Sequence, residues 1–325
     1  MNEIERGLGV LLINMGGPSS LDQVQPYLYE LFSDPDIIQL PLGFIIQKPF
    51  AKIISSRRAE QSKARYAAIG GKSPLVEETR KQALGLEKIL GVSVGFSMRY
   101  LGPRAGEVVK NLAGRGVSKL IVIPLFPQYS IATSGSAIAD FKAQNTYLPY
   151  VLVNYHYDCE GYIRALAERF AEAAGAMDSS LKTHLLFAAH SLPEKYSRRG
   201  DPYVEQTKKT VELLYAGLKT NLSYSLGFQS RLGPVKWHGP SLDEELSRAR
   251  TSGVEQLIVQ PVSFVSENLE TRYDLDMEFR EKSLAAGIKN FIRVQCPDDS
   301  EIYLNALAAL AQRAALENKW EDRSA

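Results

Sequence analysis

The sequence has little cysteine, little histidine, no excess of either charge and no long apolar run, and each shortage removes a class of protein. Two cysteines, Cys159 and Cys296, cannot build a disulfide framework or a four-thiolate metal cluster, and they are too far apart for a CxxC pair. With 38 Lys and Arg against 37 Asp and Glu the formal charge is +1, mixed along the chain, which excludes a nucleic-acid binder carrying a basic stripe. Apolar runs such as Leu40–Ile46 fall far short of the roughly 20 residues needed to cross a bilayer. The opening segment Met1–Gly7 carries Glu3 and Glu5 and shows no basic start or small-residue cleavage site. A reducing, cytoplasmic setting is therefore expected.

What the sequence does contain is a repeated α/β pattern. Short runs rich in Val, Ile and Leu at Gly9–Asn14, Val92–Ser97, Lys119–Leu125 and Tyr150–Tyr155 predict four buried strands. Helix-period stretches such as Leu75–Leu90 and Ala105–Ala113 lie between them, so a parallel sheet covered on both faces is expected. The same order returns at His184–Ala189, Ser223–Phe228, Gln256–Val262 and Phe291–Val294, with Val204–Leu218 and Leu242–Arg250 as helices. Sequence identity supports a duplication: Gly95-Phe-Ser-Met-Arg99 matches Gly227-Phe-Gln-Ser-Arg231, and Lys119-Leu-Ile-Val-Ile-Pro124 matches Gln256-Leu-Ile-Val-Gln-Pro261. The connection between the first two strands is about 44 residues longer in the first half, placing an insertion near 37–73. Such an insertion beyond a strand's carboxyl end falls where open α/β sheets bind ligands.

Few side chains are available for chemistry. Of the four histidines, His190 follows a buried strand and precedes Ser191-Leu-Pro193, at the carboxyl edge of a sheet, where it reads either as a base or metal ligand or as a hydrogen-bonded turn residue. His238 has a weaker claim of the same kind, and His184 reads as polarity at a strand's start. After the seventh strand, Glu267, Glu270, Asp274, Glu278 and Glu281 are spaced 3, 4, 4 and 3, which on a helix stacks five carboxylates on one face. That face is either solvated and relieved by Arg272 and Arg280 or a carboxylate track for a cation. The stretch Leu40–Ile54, followed by Arg57 and Arg58, suits a flat apolar ligand bearing carboxylates, a membrane surface or an ordinary core helix. Gly16-Gly-Pro18 and Gly70-Gly-Lys-Ser-Pro74 match neither phosphate-loop pattern.

Taken in order, several segments resemble the ferrochelatase family over nearly the whole chain. They include Leu11-Leu-Ile-Asn-Met-Gly-Gly-Pro18, Leu31-Phe-Ser-Asp-Pro-Asp-Ile-Ile38, Tyr66-Ala-Ala-Ile-Gly-Gly-Lys-Ser-Pro74, Met98-Arg-Tyr100 and Pro124-Leu-Phe-Pro-Gln-Tyr-Ser130. The second half adds Ala189-His-Ser-Leu-Pro193, Gly200-Asp-Pro-Tyr203, Phe228-Gln-Ser-Arg231 with Gly233-Pro234, and Phe264-Val-Ser-Glu-Asn-Leu-Glu270. The resemblance implies two Rossmann-like chelatase domains from an internal duplication, each a four-stranded parallel sheet flanked by helices, with a porphyrin held between them. The expected boundaries are 1–155, carrying an apolar lip at about 37–73, and 156–325, whose C-terminal helix packs back on the first domain.

The activity implied is insertion of ferrous iron into protoporphyrin IX with release of two protons, the last step of haem biosynthesis. His190 and Glu270 match the family's catalytic pair, and Met15 matches a residue facing the other side of the macrocycle. Arg58, Tyr66 and Ser73 match propionate-holding positions, and Trp237 resembles a residue beside the ring. Glu270 is expected to relay protons or metal through Asp274 and Glu278, with His190 also touching metal. Iron enters as substrate, and no tightly bound cofactor is expected. The tail Arg313–Ala325 has no cysteine, so no iron–sulfur cluster is expected either. Asn268 stands where many family members have His. The lip, with Phe44 and Ile45 partly exposed, predicts weak peripheral contact with the inner face of a membrane by a monomeric cytoplasmic protein. Coproporphyrin remains an alternative substrate, and a non-catalytic porphyrin or haem carrier an alternative function.

Overall fold

The computed structural model describes residues 7–40, 42–145, 148–230 and 235–318. The chain forms two units, the first running from residue 7 to His156 and taking in the chain again from Asp299, the second spanning Tyr157–Asp298.

In the first unit, strands β1 (Leu8–Asn14), β2 (Ser93–Met98), β3 (Lys119–Pro124) and β4 (Tyr150–Leu152) form one parallel sheet in the order β2-β1-β3-β4. Its helices are α1 (Val24–Ser33), α2 (Gly43–Ala68), α3 (Leu75–Leu90), α4 (Ala105–Gly114) and α5 (Ser136–Gln144). β1 and β3 are buried almost throughout, as strands covered on both faces must be, and Leu11, Ile13, Leu120 and Val122 pack against Val109, Leu112 and Phe141. Within the expected insertion at about 37–73 lies the helix α2. A short 3₁₀ turn and α1 follow β1, and the 26-residue α2 occupies most of the lip stretch.

The second unit repeats the plan with α6 (Glu160–Ala174), β5 (Thr183–His190), α7 (Glu194–Arg198), α8 (Tyr203–Leu218), β6 (Ser223–Gln229), α9 (Leu242–Thr251), β7 (Gln256–Pro261), α10 (Arg280–Ala285) and β8 (Asn290–Arg293). Its sheet order is β6-β5-β7-β8, again wholly parallel, so the duplicated four-stranded architecture is as the sequence predicts. The second unit ends at Asp298, and α11 (Glu301–Glu317) packs in the first unit, where Leu304 lies on α3 and the Tyr303 hydroxyl is 3.3 Å from His156 Nε2.

Both sheets carry their topological switch between the first and third strands of the unit, at the carboxyl ends of β1 and β5. Strand pairing identifies the equivalent residues. Ile13 pairs with Pro124 and Ala188 with Pro261, prolines that occupy the same place in the repeated Leu-Ile-Val motif. Two residues farther along, Met15 of the first unit therefore corresponds to His190 of the second. The turn after Met15 needs glycine: Gly16 has φ +92°, and a Cβ there would stand 2.4 Å from the Tyr100 carbonyl oxygen.

Candidate active site

His190 is the last residue of β5 and is fixed by its own backbone. Its N–H donates to Ser263 Oγ at 3.0 Å, and its carbonyl accepts the Tyr203 hydroxyl at 2.9 Å. The ring then points Nδ1 at Glu270 Oε2, 2.8 Å away. That same oxygen accepts Gln229 Nε2 at 3.0 Å and Ser230 Oγ at 2.7 Å. Three donors converge on Oε2, while Oε1 has no hydrogen-bond partner among the described residues. Burial opposes the charge on Glu270, but the His190 charge and hydrogen bond, with Gln229 and Ser230, outweigh it and hold the carboxyl down at about 2. Burial likewise opposes charging His190, and the Glu270 charge and hydrogen bond, aided by Asp274, raise it above its ordinary value. An ionised Glu270 can only accept, so Nδ1 carries the proton and Nε2 is the nitrogen left for chemistry.

The other histidines are occupied differently. His184 places its ring nitrogens 2.8 and 2.9 Å from Ser223 and Ser225 hydroxyls. His156 is buried, and desolvation drives its pKa down to about 3, so it is neutral. His238 Nε2 lies 2.8 Å from Ser197 Oγ, which gives it a local structural role.

The acidic face departs from expectation. Glu270–Phe279 is π-helical, followed by α10, and in a segment with i→i+5 hydrogen bonds a turn takes more than four residues. Spacings of four stay nearly in line and spacings of three fall off it. Glu267 lies before the segment, where its bonds to Arg293, to the Cys296 N–H and to the Thr271 hydroxyl turn it inward and leave it 3% exposed. Glu281 lines a surface hollow with Asp276, Met277 and Leu284. Glu270, Asp274 and Glu278 stand four apart on the segment, and Lys282 Nζ lies 3.4 Å from Glu278. Among the described residues no group of three or more His, Cys, Asp or Glu side chains is disposed to hold a metal ion. Of the expected metal set His190, Glu270, Asp274 and Glu278, the first two are joined by a hydrogen bond and Asp274 is close enough to raise the His190 pKa.

Asn268 has a clear task. Its Oδ1 accepts the Glu270 N–H at 2.8 Å and the Thr271 N–H at 3.3 Å, capping the π segment. Trp237 pairs through its backbone with Pro193, three residues beyond His190. Gln229 and Ser230 were legible only as part of the repeated Gly-Phe-x-x-Arg motif. Their convergence on Glu270 depends on Ser230 adopting φ +66°, which no composition signal announces.

In the first unit, Met15 follows β1 and is half-buried, with its N–H on Asn14 Oδ1 and its carbonyl accepting the Tyr100 N–H. Ser73 is held by its N–H to the Pro18 carbonyl, and its Oγ accepts the Leu75 N–H at the start of α3, leaving the hydroxyl proton to donate elsewhere. Tyr66 is 4% exposed. Arg58 is half-buried on α2 and makes no hydrogen bond or ion pair among the described residues; burial and then Arg65 weaken its hold on its proton. At the tip, Ile45 is exposed, and the side chain of Phe44 lies outside the described residues, as do Arg231, Gly233, Pro234 and the tail beyond Asn318.

Two duplicated parallel-sheet units, with a histidine and a carboxylate joined at one switch point, define a chelatase-type fold. SirB from Bacillus subtilis, solved with Fe3+, superposes with TM-score 0.57 at 11% identity, covering 97% of this chain and 98% of that one. CbiX, the terminal enzyme of sirohaem biosynthesis in denitrifying bacteria, gives TM-score 0.50 at 15% identity over 94% and 99%. Those two share the fold. A model of the ferrochelatase family matches residues 7–315. Ferrochelatase from Aquifex aeolicus is 40% identical over 311 residues, 94% of this chain and 98% of its own, and that from Gloeobacter violaceus 39% over 315 residues, 93% and 96%. The chain belongs to the ferrochelatase family.

Proposed function

We propose that this chain is a ferrochelatase that inserts ferrous iron into protoporphyrin IX, and the observation that carries the reading is the His190–Glu270 pair with Nε2 and Oε1 left open. Insertion exchanges two pyrrole N–H protons for bonds from nitrogen to iron, so the protein must remove protons while stripping the metal of water. His190 Nε2 accepts a pyrrole proton, and the resulting imidazolium is stabilised by the carboxylate already bonded to Nδ1. Glu270 Oε1, followed by Asp274 and Glu278, offers hard oxygen ligands and proton acceptors in sequence. Met15, Arg58, Tyr66, Ser73 and Trp237 contact the porphyrin, with Arg58 pairing to a propionate because a half-buried guanidinium without an acceptor favours an incoming carboxylate.

No resident cofactor is required, and the protein acts as a cytoplasmic monomer that rests on the inner face of a membrane through Leu42, Ile45 and Ile46, all exposed. Among the described residues no helix is long and apolar enough to cross a membrane. The deciding experiment follows porphyrin fluorescence with Fe²⁺ or Zn²⁺. Loss over many equivalents of substrate is expected, whereas a stoichiometric end point would make the chain a porphyrin carrier. Parallel rates with protoporphyrin and coproporphyrin decide the substrate, and a clear advantage for coproporphyrin would replace the protoporphyrin assignment.

A further inference from the structure

Glu270 belongs to a ten-residue π-helical segment, yet π geometry usually persists for a single turn, so something must hold this one in place. The holder lies beneath it. Arg293, the last residue of β8, keeps only 7% of its side-chain surface exposed. Its Nη1 donates to Glu267 Oε1 at 2.6 Å and its Nη2 lies 2.8 Å from Asp276 Oδ2. Glu267 stands three residues before Glu270 and Asp276 six after it, so a single guanidinium ties both flanks of the residue to the sheet. The flanks are secured further. Glu267 also accepts the Cys296 N–H and the Thr271 hydroxyl, while Arg280 bonds the Asp276 and Phe291 carbonyls and lies 4.6 Å over the Phe291 ring.

We infer that Arg293, acting through Glu267 and Asp276, is a positioning residue for metal insertion, fixing the π-helical register that delivers the Glu270 carboxylate to His190. Without that tie, a relaxation of the segment toward i→i+4 bonding changes the rotation between its two flanks, and Glu270, which lies between Glu267 and Asp276, is drawn away from the three donors on Oε2. None of Arg293, Glu267 or Asp276 needs to touch the porphyrin. Their effect falls on the chemical step and not on substrate affinity.

The inference rests on the proposed metal insertion for its kinetic arm and on the His190–Glu270 contact alone for its spectroscopic arm. Asp276→Asn is the primary variant, since Asp276 keeps 29% of its side-chain surface and an amide of the same shape fits there. Expected is a fall in kcat of about ten- to a hundredfold, the scale of a sub-ångström to ångström displacement of a reacting group, with the porphyrin KM within about threefold. In the same variant the downfield proton resonance of the His190 Nδ1–H, assigned in the parent by its loss in Glu270→Gln, shifts or broadens. Arg293→Lys, which keeps charge but loses the fork, falls between parent and Asp276→Asn. Glu255→Gln, which breaks the Glu255–Lys289 pair before the other end of β8, changes neither readout. If Asp276→Asn folds with kcat within about twofold of the parent and the resonance unmoved, the inference is overturned, even where its melting temperature drops. If the parent turns over no metal at all, the functional reading fails and the resonance alone decides whether Arg293 positions the pair.

Discussion

Replacing Glu270 by Gln should destabilise the protein in a pH-dependent way that reports the charge state of the pair. In the folded chain the Glu270 carboxyl titrates at about 2 against an ordinary 4.5, and the full gap corresponds to roughly 3 kcal/mol. The two side chains keep 33% and 26% of their surface, so solvent screening reduces this to about 1–2 kcal/mol. The signs run in opposite directions. Glu270, held low, contributes above 4.5 and loses that contribution as pH falls through about 2. His190, held high, contributes fully below 6.5 and loses it as pH rises through its raised folded value. The pair is therefore strongest between 4.5 and 6.5. Calorimetry at about pH 5.5 should show Glu270→Gln melting about 2–6 °C below the parent, with the deficit shrinking as the pH is raised and the imidazole loses its proton. A deficit that stays constant as the pH is raised would refute the charged-pair argument and leave only hydrogen-bond geometry.

Four further outcomes are expected. His190→Ala should abolish metal insertion while fluorescence titration shows porphyrin affinity within a few fold, and near-normal turnover would remove His190 from the mechanism. Arg58→Leu should raise the porphyrin KM by about tenfold with a lesser effect on kcat, whereas an unchanged KM would free Arg58 from the propionate. Asp274→Asn and Glu278→Gln should leave the melting temperature equal or slightly higher, by a few tenths of a kcal/mol from relieved repulsion, yet slow insertion most at limiting Fe²⁺. Glu278 should show the smaller stability gain because Lys282 already offsets its charge, and full rates at limiting metal for both would make the track a solvated surface. Changing Leu42 and Ile45 together to Ser should reduce co-sedimentation with liposomes, and undiminished binding would count against the lip as the contact.

The strands and most helices were legible because burial on both faces demands continuous β-branched runs, and α3 and α8 carry the period of their amphipathic faces. The site was legible in part. His190 stood out by its place after a strand and by the scarcity of histidine. The spacing of the carboxylate face reads as α-helical, whereas Glu270–Phe279 is π-helical and Glu267 lies before it; nothing in the residue types of Glu270–Phe279 distinguishes the two periods. The repeated motif also misled by a small amount. Leu11 and Leu186 are equivalent by their pairing to Val122 and Val259, and their partners on the neighbouring strands are Gly95 and Ser225, so the Gly95 to Gly227 match is offset by two residues from the structural repeat. A slip of two keeps every side chain on its face, which is why sequence conserves the pattern without fixing the register.

The duplicated switch points carry a different residue in each half. In the second unit the position equivalent to Met15 is His190, the last residue of β5, and the carboxylate reaching it comes from the π segment beyond the third strand. The first unit has the same parts with other residues: Met15 at the corresponding position, a shorter π segment at Ile131–Gly135 beyond β3, and a carboxylate, Asp34, from the loop that leads toward α2. Asp34 Oδ2 accepts the Arg99 guanidinium at 2.7 Å, the Tyr100 hydroxyl at 2.7 Å and the Ser136 hydroxyl at 2.5 Å. It too has several donors on one oxygen, but its cation is an arginine, which holds its proton at any working pH, and burial with the Asp34 charge pushes the Tyr100 phenol well above its usual range. A carboxylate with a guanidinium can brace a loop and cannot trade a proton. The same arrangement with an imidazole can do both, so the change from a permanent cation to a titrating one separates the half that braces the lip from the half proposed to deprotonate the porphyrin.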